Sequence, residues 1–115
     1  MSTRLDQAKE AMKAIEHQDY EPAMALVAPD YKHHSTRGIE VTGPKEFREI
    51  LVPQLEQIRL VQRLESIIES GEFVVATVRA TSTLREGESS IVYVFRYEDD
   101  RIAEAWAISP PVGAA

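Results

Sequence analysis

The chain predicts an α+β domain in which helices lie across one side of a strongly curved, mainly antiparallel sheet. Three observations carry that prediction. Ile91 to Trp106 alternates aromatic and β-branched residues up to Tyr97, pauses at Glu98-Asp99-Asp100-Arg101, and resumes at Ile102, which is the pattern of a hairpin. Phe73 to Leu84 is a second clear strand, with small apolar Val74, Ala76, Val78 and Ala80 on one face and Val75, Thr77, Arg79, Thr81 and Thr83 on the other. Helical spacing, by contrast, dominates the first sixty residues.

Taken in order, Leu5, Ala8, Met12 and Ile15 form the apolar side of a first helix that Thr3 and Asp6 cap and that ends near His17. Asp19 is placed to cap a shorter second helix that tolerates Pro22 and buries Tyr20, Ala23, Met24 and Val27, with Ala28-Pro29-Asp30 ending it. Tyr31-Lys32-His33-His34-Ser35 reads as a short extended piece, and Thr36 to Gly43 as a loop or weak hairpin. Pro44 suits the first turn of a third helix with the stripe Phe47, Ile50, Leu51, Leu55 and Ile58. Pro53 interrupts that stripe at a cost of about 3 kcal/mol or a bend, which predicts a kink. Val61 to Ser70 is a strand in which Leu64 falls out of phase with Val61 and Ile67, the mark of a bulge. Gly71-Glu72 turns it, and Arg85-Glu86-Gly87-Glu88 is expected to be the next turn.

Residues 1–115 read as one domain, long enough for a real core and too short for two. With 13 Lys and Arg against 19 Asp and Glu, a net charge of -6 and no basic face, nucleic acid and anionic membranes are poor partners. The absence of cysteine excludes thiolate chemistry and thiolate metal sites. A polar N-terminus and no span near ~20 apolar residues suggest a cytoplasmic protein.

Two segments carry a family likeness. Tyr31-Lys32-His33-His34-Ser35 resembles the Tyr-x-x-His-Asn/Ser entry strand of the SnoaL-like families in the NTF2-like superfamily, and a loop and Gly43 before a Phe-bearing helix follow it as they do there. Phe95-Arg96-Tyr97-Glu98-Asp99-Asp100-Arg101-Ile102-Ala103-Glu104-Ala105-Trp106 is similar to their Phe-Arg-x-x-Asp-Gly-x-Ile-x-Glu-x-Trp. The resemblance implies a cone-shaped barrel with three N-terminal helices, a deep pocket and a homodimer packed through the outer sheet face. Its relatives include polyketide cyclases, ketosteroid isomerases, dehydratases and binding modules without activity, so function has to be argued from the site.

By that likeness His34 is the pocket histidine, and imidazole is the side chain suited to move a proton near neutral pH. Glu104, between Ile102 and Trp106 in a regular alternation, is the acid expected beside it; burial would raise its pKa, whereas an arginine or tyrosine partner would make it an anchor. Tyr31 and Tyr93 are the hydroxyls available to an oxyanion, and Phe47, Phe95 and Trp106 complete the substrate-binding wall. His33 is expected on the opposite face, which leaves no metal-ligand set. Where many relatives carry an acid two residues before Phe-Arg this chain has Tyr93, and where they carry His and Asp around the Trp it has Ala105 and Ala107. The function expected is a cofactor-independent isomerase, cyclase or lyase acting by proton transfer on a small apolar carbonyl compound. The alternative is a dimeric ligand-binding or accessory domain without turnover.

Overall fold

The computed structural model describes residues 3–109. Helix α1 (Arg4–Ile15) begins with the expected capping box, in which the Thr3 hydroxyl accepts from the Asp6 backbone N–H while the Asp6 carboxylate accepts from that of Thr3. Helix α2 is a single turn (Glu21–Met24), shorter than its apolar pattern suggested. Val27 and Ala28-Pro29-Asp30 do not end a helix but start strand β1 (Val27–His34), which a short hairpin joins to β2 (Glu40–Thr42).

The third helical stretch comes after these two strands, not before the sheet. It runs as α3 (Gly43–Glu46), a π-helical turn (Phe47–Leu51) and α4 (Val52–Gln57). Pro53 sits in the first turn of α4, where its missing N–H is tolerated, and the wide turn before it closes through Val52 N–H to Phe47 O. The kink expected at Pro53 therefore takes the form of one wide turn upstream.

Strands β3 (Val61–Ser70), β4 (Phe73–Ser82), β5 (Arg85–Glu98) and β6 (Arg101–Ile108) follow as an antiparallel meander. The sheet order is β2-β1-β6-β5-β4-β3, with β1 parallel to β6. Strands β2 and β3 form its two edges, so the sheet is an open six-stranded one and the expected barrel closure is absent. The β3 bulge falls between Leu64 and Ser66, as the phase slip predicted. The β4–β5 turn lies at Thr83-Leu84, before the expected Arg85 to Glu88; Gly87, at φ 72°, takes up the two extra residues that β5 carries opposite Ala80 to Ser82.

The inner face of the sheet is built from rows of contrasting size. Ala76 pairs with Tyr93, Tyr93 with Ala107, Phe95 with Ala105, and Ala105 with His33. Large rings on β5 and β1 thus alternate with alanines on β4 and β6. Below Phe95 a buried cluster of Val74, Tyr97, Ile102, Val27 and Tyr31 packs with Met24 and Phe47 and forms a floor. The Tyr97 hydroxyl is sealed there without a hydrogen-bond partner among the described residues, and the Arg4 guanidinium sits 5.2 Å from its ring centre. An unpaired buried hydroxyl is a liability, whereas the ring contact survives its removal. Tyr97→Phe is accordingly expected to unfold in urea with stability unchanged or raised by about 1 kcal/mol; a loss of that size would show that the hydroxyl has a partner.

Candidate functional site

Above that floor the small side chains leave volume unfilled. Ala8, Ala11, Ala23, Ala80, Ala105 and Ala107 all line a cavity of about 390 Å³ between the helices and the sheet. That is within the size range of small-molecule sites. Its wall is mainly apolar, with Met12, Met24, Leu51, Leu55, Phe47 and Phe95 contributing the larger side chains.

Polar groups reach the interior of the wall as well as its rim. His33 reaches it from β1, Gln62 from β3, Tyr93 from β5, Tyr20 from the turn before α2, and Tyr31 from deeper on β1. The Tyr93 hydroxyl donates to Gln62 Oε1, which leaves the amide N–H groups of Gln62 as donors. Burial raises the pKa of Tyr93 and of Tyr31, and burial followed by the charge of Glu56 raises that of Tyr20, so all three stay protonated at neutral pH. Among the described residues no Asp or Glu lines the cavity.

His33 is 8% exposed and packed edge-on against Phe47, with ring centres 5.3 Å apart and planes at 87°. Tyr31 stands at its other side at 6.4 Å. No hydrogen bond ties the imidazole to another described residue. Burial first, and then neighbouring His34, push its pKa down to about 4, so the ring is neutral at physiological pH and offers one donor and one acceptor.

The expected pair His34 and Glu104 does form, but outside the cavity. His34 Nε2 lies 2.7 Å from Glu104 Oε2, its Nδ1 3.4 Å from Glu40 Oε2, and its ring stacks on Trp106 at 5.6 Å and 12°. Arg96 adds a contact of 3.5 Å to the other oxygen of Glu104. The hydrogen bond from His34, helped by Arg96, lowers the Glu104 pKa, the opposite of the shift expected in an apolar pocket. None of His34, Glu104 and Trp106 lines the cavity. Among the described residues no cluster of three or more His, Cys, Asp or Glu is arranged to hold a metal ion.

Two local facts move these residues outward. On β1, Tyr31 and His34 are three positions apart, so a strand that turns Tyr31 and His33 inward turns His34 to the other face. On β6, Tyr97 pairs with Ile102 and Arg96 with Glu104, so Ala103 is an extra residue. That bulge breaks the alternation: Ile102 points inward with Tyr97, Glu104 outward with Arg96, and Ala105 and Ala107 inward with Phe95 and Tyr93. Of the sequence-derived wall, Tyr31, Phe47, Tyr93 and Phe95 are on the cavity. Gln62, Tyr20 and His33 were missed as wall groups. The parity of β1 pointed to His33, whereas Gln62 sits in a strand whose phase slip hid its face.

A SnoaL-like domain model matches residues 8–105. The chain belongs to the SnoaL-like domain family. No curated protein matches its sequence. Among solved structures, an NTF2-like protein of unknown function from Burkholderia pseudomallei superposes with a TM-score of 0.80 at 23% identity, over 96% of this chain and 92% of that one. A putative polyketide cyclase from Sinorhizobium meliloti gives 0.76 at 17% identity, over 89% and 93%. TerC, co-crystallised with polyporic acid, gives 0.78 at 14% identity, over 95% and 92%. At these identities the likeness carries the NTF2-like fold alone, and the chemistry of this SnoaL-like chain rests on its own cavity wall. No helix among the described residues is long and apolar enough to cross a membrane.

Proposed function

We propose that the cavity holds a small, largely apolar carbonyl compound and that His33 accepts and returns a proton on it, without a cofactor. The observation that carries this reading is a neutral imidazole with no hydrogen-bond partner among the described residues, set in a mainly apolar wall. A base held near pKa 4 is weak, and it suffices only where a donor stabilises the oxygen that becomes negative. The protonated hydroxyl of Tyr20 and the amide N–H groups of Gln62, whose Oε1 is taken up by Tyr93, are donors on this wall. Solved relatives of the same fold described as a putative polyketide cyclase and as a complex with polyporic acid support a small-molecule role. His34 and Glu104 take no part in the reaction under this reading; they stiffen the outer face, where a homodimer would pack.

The test is hydrogen exchange. Aryl and terpenoid ketones that raise the melting temperature are incubated with protein in D2O, and exchange at the carbon next to the carbonyl is followed by NMR. Wild type is expected to exceed buffer, and His33→Phe to lose about 100-fold or more of that excess. Ala107→Phe, which pushes a ring into the cavity, is expected to abolish the thermal shift. A shift without exchange in wild type supports the second reading, a binding domain without turnover, which the lack of any wall carboxylate among the described residues favours.

A further inference from the structure

We infer that the ligand is an amphiphile, with an apolar body inside the cavity and one anionic group, of carboxylate type, received at the mouth by Arg37. This rests on the cavity being a ligand site and names the class of molecule it takes.

The topology builds the mouth. Strands β1 and β6 are parallel, so both end at the same side of the sheet; β5 starts there and β4 finishes there. Ser35, Thr36 and Arg37 after β1, Ser109 after β6, and Ser82 and Arg85 at the β4–β5 turn therefore converge on one rim, and all six line the cavity. At the other end Met24, Val27 and Ile102 line the wall beside the rings of Tyr20 and Tyr31, and no charged side chain stands among them. The charged groups of the wall are thus confined to the mouth.

Charge is sorted more sharply still. The whole chain carries 19 acidic and 13 basic residues, yet among the described residues the charged side chains on the cavity wall are two arginines and no acid. Two nearby acids are engaged by other bases: Glu88 pairs with Arg63 at 3.5 Å, and Glu40 with Lys32 and His34. Arg85 has a partner of its own, whereas the Arg37 side chain has no ion-pair or hydrogen-bond partner among the described residues. A guanidinium presents two parallel N–H groups that match a carboxylate, and the rim hydroxyls supply further donors. A neutral ligand would leave that cation unused; a cationic one would meet it head-on.

Two probes of the same shape decide the matter, 2-naphthoate and its neutral methyl ester, titrated by calorimetry into wild type, Arg37→Ala, Arg37→Gln and Ala107→Phe. Naphthoate is expected to bind wild type about tenfold more tightly than the ester and to weaken as salt is raised. Arg37→Ala and Arg37→Gln are expected to remove that preference while leaving ester affinity unchanged, and Ala107→Phe to abolish binding of both. Equal binding of the two probes, or a preference that survives both Arg37 variants, overturns the anionic-head proposal and leaves the cavity reading standing. If neither probe binds wild type, both readings fall together.

Discussion

Gly43→Ala is expected to lower the stability of the chain by about 3 kcal/mol, the sum of an unfavourable backbone and a steric clash. Gly43 opens α3 at φ 79°, a region side chains rarely occupy. A Cβ placed there would stand 2.8 Å from the carbonyl oxygen of Pro29, a backbone atom of β1 that cannot swing aside. The position sets how closely the third helical stretch approaches β1, and one turn further on the same stretch brings Phe47 against His33. Gly38→Ala supplies the control, because Gly38 has φ 78° with nothing within 4 Å of its added Cβ. That variant should cost only the backbone share, about 1 kcal/mol. Urea unfolding of the two proteins, with the difference between them read as the clash, checks the expectation; equal losses would mean that β1 yields and that the approach is not tight.

The architecture was legible because it is written in patterns longer than one residue. Helical stripes at Leu5 to Ile15 and Phe47 to Ile58, the Val74 to Ala80 row, and the phase slip at Leu64 each survive a local error of one position. The site did not, because facing is decided by single residues. One extra alanine at position 103 carried Glu104 and Trp106 to the outside, and nothing in the composition of Ile102-Ala103-Glu104-Ala105-Trp106 marks it as a bulge. The placement of His34 was a different error. Tyr31 and His34 cannot share a face of one strand, so the motif match and the period of a strand were in conflict, and the period prevailed. A further signal was present in side-chain size. Tyr93 and Phe95 need small neighbours across the sheet, and Ala105 and Ala107 fit beside them where Glu104 and Trp106 do not. The edge strands leave the sheet open for a related reason: β2 has three residues and β3 turns much of its length outward, so neither continues the ladder to closure.

His33→Phe is expected to flatten part of the acid limb of the stability curve, by about 3 kcal/mol across the full transition. In the folded chain His33 holds its proton only below about pH 4, whereas in the unfolded chain an ordinary histidine does so below 6.5. As the pH falls through this interval the unfolded chain takes up the proton first and is favoured by it. The stabilisation from keeping His33 neutral is therefore complete above about 6.5, declines through the interval, and is gone below about 4. Glu104 and Glu21, whose pKa values are lowered, lose their own contributions at the acid end of the same range, but they do so in both proteins and cancel in the comparison. Phenylalanine fits the aromatic surroundings of Phe47 and Tyr31 and titrates nowhere, so it removes the proton without emptying the site. Urea unfolding of both proteins at neutral pH and again near pH 4.5 gives the difference directly; parallel losses would show that His33 is not held neutral by burial. The same property sets the expected pH profile of any exchange reaction at this imidazole. It should stay level through neutrality and fall only as the pH approaches the folded pKa of His33, because the acceptor remains free of a proton down to that point.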